Sequence, residues 1–237
     1  MANENNVKLL KEGKPEDKRP LTEVVFILDR SGSMTGLEDD TIGGFNSMLD
    51  KQKGKDNRVL ISTILFDHEI KVLHDRVPIE EVEHMTNKDY ETRGSTALLD
   101  AIGMTIKHIK TIHKYAREED RPAGTIVFIT TDGYENASIK YSCADVRKLI
   151  EAQKEAGWEF VFLGANIDAI ETAAQFGIDR RHAMNYHSDS IGTRKAFDAF
   201  GDAVMSFASA PLGCLCKFDP SMFEEVKKDF EERKSDR

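Results

Sequence analysis

Four apolar runs, VVFIL, RVLISTILF, TIVFIT and EFVFLG, recur along the chain, and between them apolar residues fall at helical spacing. No other feature limits the fold as tightly. Strands that are apolar on both faces must be covered on both faces, and strands separated by helix-length segments must be joined by crossovers. Such crossovers are right-handed and leave neighbouring strands parallel. The expected class is therefore α/β, a doubly wound, mostly parallel sheet with helices on both faces.

The intervening segments support this reading. Ile42, Phe45, Met48 and Leu49 form one apolar stripe, Leu98, Ile102, Ile106 and Ile109 a second, and Phe197, Phe200, Val204 and Phe207 a third. SCADVRKLIEAQKEAG predicts a helix stopped by Gly157, DAIETAAQFG a short helix and RHAMNYH a last strand. EIKVLHDRV follows RVLISTILF almost at once, which predicts a hairpin and one antiparallel edge strand, ended by Pro78.

Residues 1–20 are polar, contain Pro15 and Pro20, and read as an arm; residues 21–210 form the folded domain, and 211–237 a C-terminal extension with a charged tail. That tail, FEEVKKDFEERKSDR, reads equally well as a solvated helix or a frayed end. At 237 residues and 40% apolar, the chain can bury one full core. Its formal charge of -9 argues against a nucleic-acid or anionic-membrane surface, which needs a basic patch. No apolar leader or membrane-length run is present. The three cysteines, Cys143, Cys214 and Cys216, are odd in number and sparse, which suits a reducing compartment and predicts a cytoplasmic protein. Cys214 and Cys216 lack a second pair to complete a zinc tetrahedron and read as small buried side chains.

In open parallel sheets ligands bind beyond the carboxyl ends of the strands, where the strand order reverses. Three polar clusters fall at or near such ends: Asp29-Arg30-Ser31-Gly32-Ser33, Gly94-Ser95-Thr96 and Thr131-Asp132-Gly133. They offer only oxygen donors, without thiol or imidazole. That is a set for a hard cation, Mg2+ first and Mn2+ as the alternative. Alternate side chains of extended chain point the same way, so Asp29, Ser31 and Ser33 can converge, with Gly32 allowing a tight turn. A lone D-x-S-x-S is more often a helix cap and turn; the joint placement of all three clusters carries the reading. The site is expected at the protein surface.

DRSGSM after VVFIL, GSTALLDAI and ITTDG together resemble the metal-ion-dependent adhesion site (MIDAS) of the von Willebrand factor type A (VWA) domain family, over roughly residues 22–209. The resemblance implies a Rossmann-like sheet, with one antiparallel edge strand, between layers of helices. It implies that Ser31, Ser33 and Thr96 surround the ion, that Asp29 and Asp132 act directly or through water, and that a Glu or Asp of a protein partner completes the octahedron. Neutral hydroxyls leave the ion with uncompensated charge, which is what attracts such a carboxylate. The chain is read as a bacterial cytoplasmic form, a type that works inside assemblies including those built with AAA+ ATPases, and no catalysis is expected of it.

Two rivals come from other classes. A phosphatase of the haloacid dehalogenase type also sets a strand-end Asp on Mg2+, but it needs a second carboxylate two residues on, where this chain has Ser31, and a lysine that neither GSTALLD nor TTDGYEN supplies. A structural protein could use the metal only to staple three loops. A dinucleotide enzyme is disfavoured because no G-x-G-x-x-G follows the first strand; Gly43-Gly44 instead predict close packing of a helix on the sheet. Arg30 is expected to face solvent, and Trp158 to join the core. Asp100 is read either as an orienting partner of the second loop or as an ordinary first-turn acid. His108, His113, His182 and His187 are read as surface or packing groups.

Overall fold

The chain is described here by a computed structural model covering residues 19–209 and 217–235. Most of the expected N-terminal arm lies outside the described residues, as do Cys214 and Cys216. Strands β1 (Leu21–Asp29), β2 (Arg58–Phe66), β4 (Gly124–Thr131), β5 (Trp158–Gly164) and β6 (Ala183–Asn185) run parallel, and β3 (Ile70–Pro78) pairs antiparallel with β2. The sheet order is β3-β2-β1-β4-β5-β6. The mostly parallel, Rossmann-like sheet with one antiparallel edge is thus as the apolar runs imply. The chain moves outward from β1 to β3, then returns to β4 on the other side of β1. The order therefore reverses between β1 and β4, the crevice where such sheets place their ligands.

Among the described residues six α-helices cover the sheet: α1 (Glu38–Gln52), α2 (Leu98–Tyr115), α3 (Cys143–Glu155), α4 (Ala169–Gln175), α5 (Ser190–Ala208) and α6 (Glu224–Ser235). Alternation along β1 divides the core into two layers. Val24, Phe26 and Leu28 pack with α1 and α5, while Val25 and Ile27 pack with α2 and α3. Each such buried side chain contributes about 1.5–3 kcal/mol. In the first layer Phe26 stacks on Phe128 with ring centroids 5.4 Å apart, and Phe200 of α5 lies 4.4 Å from Phe128. Trp158 is buried, as expected.

Two features differ from or extend the sequence reading. A Cβ on Gly44 would stand 2.6 Å from the Phe197 ring of α5, whereas one on Gly43 would meet nothing within 4 Å. Gly44 therefore lets helix approach helix, not helix approach sheet. The C-terminal tail, left open by sequence, forms α6 and buries Phe223 and Val226, with the Phe223 ring 5.7 Å from Phe200. No helix among the described residues is long and apolar enough to cross a membrane.

Candidate metal centre

β1 delivers Asp29 at its last residue, and the chain then turns through a short 3-10 segment, Gly32–Met34. Asp29 is fully buried. Its Oδ1 accepts the backbone N–H of Ser31 at 2.7 Å, and its Oδ2 accepts the Thr131 hydroxyl at 2.6 Å. Ser33 Oγ donates to Asp132 Oδ1. A hydroxyl has one proton, so the 3.0 Å contact between Ser31 Oγ and Ser33 Oγ must run from Ser31 to Ser33. Asp29, Ser31, Ser33 and Asp132 are thereby drawn together across the β1–β4 crevice.

Thr96 comes in from a third loop. An ideal Cβ built on Gly133 would lie 3.2 Å from Ser33 Oγ and 3.5 Å from Thr96 Oγ1, so both hydroxyls flank the same glycine. The loops are laced together by backbone: Thr96 N–H donates to Asn136 Oδ1 at 2.9 Å, Thr96 O accepts the N–H of Asn136 at 3.0 Å, and Gly32 N–H donates to Gly94 O at 3.1 Å. Gly94 has φ +66, and a Cβ there would collide with the His68 ring, so a residue with a side chain would push the loop outward. All five sequence-predicted residues are thus brought to one place. The expectation of a surface site needs correction: Asp29, Ser31, Thr96 and Asp132 are buried, and only Ser33 is exposed. Laced loops above the strand ends exclude water that an open edge would admit.

The electrostatics follow from that burial. Desolvation raises Asp29 from 3.8 to about 6, against the lowering effect of its hydrogen bonds from Thr131 and Ser31. Desolvation also raises Asp132, opposed by hydrogen bonds from Ser33 and Ser188. Among the described residues neither carboxylate has a cationic partner. Nearby Tyr90 donates its hydroxyl to the Asp29 carbonyl, and Tyr90 and Tyr186 both have raised pKa values, chiefly from burial. Both phenols therefore stay neutral and add no further negative charge.

Several supporting residues had no distinct sequence signal. Arg30 does not face solvent: it is buried and pairs with Asp67 at 3.1 Å. Arg93 reaches the same carboxylate at 3.0 Å, and its N–H donates to the Arg30 carbonyl. Asp67, His68 and Glu69 do bring possible ligand atoms within 4.8 Å of one another. Arg30 and Arg93 already balance the carboxylates of Asp67 and Glu69, however, so this trio braces the loops and leaves little net charge for a further cation. Asp100 accepts the backbone N–H groups of Ile139, Lys140 and Tyr141, at 3.1, 2.9 and 2.9 Å. It is an orienting residue, pinning the segment after Asp132 to the start of α2. Glu135 does similar work, accepting from Leu99, Ala137 and Ser138.

The fold, the crevice and the three converging loops describe a VWA domain. The family model for the von Willebrand factor type A domain matches residues 23–198, and the chain belongs to that family. No curated protein matches the chain in sequence. Among solved structures, the vWF domain of the type V pili tip protein Mfa5 from Porphyromonas gingivalis is similar, with TM-score 0.60, 12% identity, and coverage of 84% of this chain and 99% of that one. Proximal thread matrix protein 1 from the mussel byssus, in a form with its MIDAS motif occupied by zinc, gives TM-score 0.52 and 13% identity over 78% of this chain and 46% of that one. A von Willebrand factor type A protein from Catenulispora acidiphila gives TM-score 0.53 and 12% identity over 79% and 43%. At these identities the likeness extends to the fold.

The family is typically one of metal-dependent protein interaction modules, and its MIDAS binds a divalent metal. The residues present fit such an ion on their own chemistry. Three hydroxyls and two carboxylates converge, and neither buried carboxylate has a cation to offset it among the described residues.

Proposed function

We propose that this chain is a metal-dependent protein interaction module, and that Asp29, Ser31, Ser33, Thr96 and Asp132 hold Mg2+, with Mn2+ as the alternative, to capture an acidic side chain of a partner protein. One observation carries the reading: two buried carboxylates without cationic partners face three hydroxyls at the point where the sheet reverses order. Oxygen donors without sulfur or imidazole favour Mg2+ over zinc. An ion held there would balance the two carboxylates formally, and with three neutral hydroxyls in place of further acids the site would carry no excess negative charge to repel a partner's carboxylate.

The chain's own residues do the rest. Asp29 and Asp132 attract the cation, while Thr131 and the Ser31 N–H hold Asp29 in place. Ser33, the exposed member, stands where a partner can reach. Asp100 and Asn136 keep the second and third loops in register. No group is placed as an acid or base two residues beyond Asp29, where Ser31 engages Ser33, so no turnover is assigned to the site. A reducing compartment such as the cytoplasm suits a chain in which Cys143 is a free thiol.

The test is retention of a protein partner by the immobilised chain in Mg2+, in EDTA, and by Asp132→Asn in Mg2+. A partner held only by wild type in Mg2+ supports the bridge. The same proteins held in all three would remove it and leave the ion, at most, a loop staple.

A further inference from the structure

An open cleft of about 510 Å³ adjoins the proposed metal centre, and Ser33 belongs to both. Its walls are the first turn of α1, with Asp40, and the His187–Ser190 segment that leads into α5. The lining is mostly polar, and Asp40 and Asp189 are its two carboxylates. Asp40 accepts the Ser190 hydroxyl at 2.6 Å and has no ion-pair partner among the described residues. Asp189, by contrast, is satisfied: one oxygen accepts the Gly192 N–H at 2.9 Å and the other pairs with Arg233 of α6. His187 Nε2 lies 3.2 Å from the Phe230 carbonyl, which can only accept, so that nitrogen is the donor and is already engaged. Among the described residues neither arginine nor lysine lines the cleft.

Two neighbouring sites of opposite preference result. The proposed ion, on one side of Ser33, draws a carboxylate; the cleft on the other side, with Asp40 unpaired, draws a donor-rich cation. Resting on the metal-bridge reading, we propose that the partner segment carries a lysine or arginine beside the acidic residue that meets the metal, with the basic side chain seated in the cleft against Asp40. An extended segment rises about 3.3 Å per residue and these side chains are long, so the two residues stand within about three positions of each other. Charge complementarity selects this occupant: a second acidic or a purely apolar side chain would leave Asp40 desolvated without a partner.

The experiment selects phage-displayed random peptides on the full chain in Mg2+, with elution by EDTA, and repeats the selection on Asp40→Lys. The expected wild-type pool combines Asp or Glu with Lys or Arg within three positions, and the Asp40→Lys pool keeps the acid and loses the base. In a direct titration of one selected peptide, Asp40→Asn, which retains an acceptor for Ser190, weakens binding about two- to fivefold, the scale of one exposed ion pair. Circular-dichroism melts establish that both variants are folded. An acidic pool without basic enrichment, or one unchanged by Asp40→Lys, overturns this inference and leaves the metal bridge standing. A pool that EDTA does not elute, or with no acidic residue, overturns both.

Discussion

β1 carries a buried carboxylate near each end, and the protein treats the two in opposite ways. Glu23, in the third position of the strand, is fully buried and meets two basic side chains: Arg76 Nε lies 3.3 Å from its Oε1, and His113 of α2 contacts its Oε2. The fold goes to some trouble to arrange this. Register shifts interrupt the β2–β3 pairing, and Arg76 adopts φ 54, a left-handed backbone that costs an L-residue roughly 1–2 kcal/mol. Asp29, six residues on at the other end, is equally buried but receives only hydroxyl and N–H donors. A carboxylate provided with its own cation is structural. One buried without a cation is incomplete, and the missing charge is the property that a metal would supply.

That contrast yields graded predictions. The largest effect is expected at the structural end: Glu23→Ala leaves Arg76 and His113 without their partner and costs about 3–5 kcal/mol in urea unfolding. A loss below about 1 kcal/mol would mean that the cluster does not hold the sheet together.

Next comes pH. Asp29 binds its proton more tightly folded than unfolded, so it favours the folded state below pH 3.8, and this contribution disappears as pH rises through about 6. A rise from 3.8 to about 6 corresponds to about 3 kcal/mol, on the order of the loss expected in metal-free protein across that window. Urea titrations at stepped pH in EDTA should show it, and Mg2+ should reverse it above pH 6. A metal-free pH dependence between 4 and 6 that Asp29→Asn reproduces unchanged would contradict the assignment.

The smallest effect belongs to Asp100, which is not among the five proposed ligands. Asp100→Ala frees three backbone N–H groups and is expected to cost about 1–3 kcal/mol. By loosening the loop after Asp132 it should also weaken Mg2+ about 10- to 100-fold by calorimetry. Unchanged Mg2+ affinity would reduce Asp100 to a helix-start residue.

The sequence displayed the sheet and the five oxygen-bearing residues that the structure brings together because both are written in short-range pattern. Apolar runs such as VVFIL and stripes such as Leu98, Ile102, Ile106 and Ile109 report strand and helix directly, and every member of that stripe is buried. What sequence hid depends on contacts between distant segments. Arg30 looked like a solvent-facing residue between ligands because its partner, Asp67, lies at the end of a different strand. Gly44 looked like a sheet contact because Phe197 is more than one hundred positions away. The lacing of Thr96 to Asn136 has the same origin, as does the burial of the site itself. The tail could not be read because α6 carries few apolar residues and is held by Phe223 and Val226 against a core that other elements supply.

The central claim, that Asp29 is buried in wait for a cation, is tested most directly by melting wild type and Asp29→Asn at neutral pH with and without Mg2+. Wild type should gain stability, by about 2.7 kcal/mol when Mg2+ is 100 times its Kd. Asp29→Asn, freed from burying a charge, should be at least as stable as wild type in EDTA and should not respond to Mg2+. A variant that is less stable in EDTA and still gains the full Mg2+ increment would show that Asp29 is a structural acid like Glu23 and that any ion binds elsewhere.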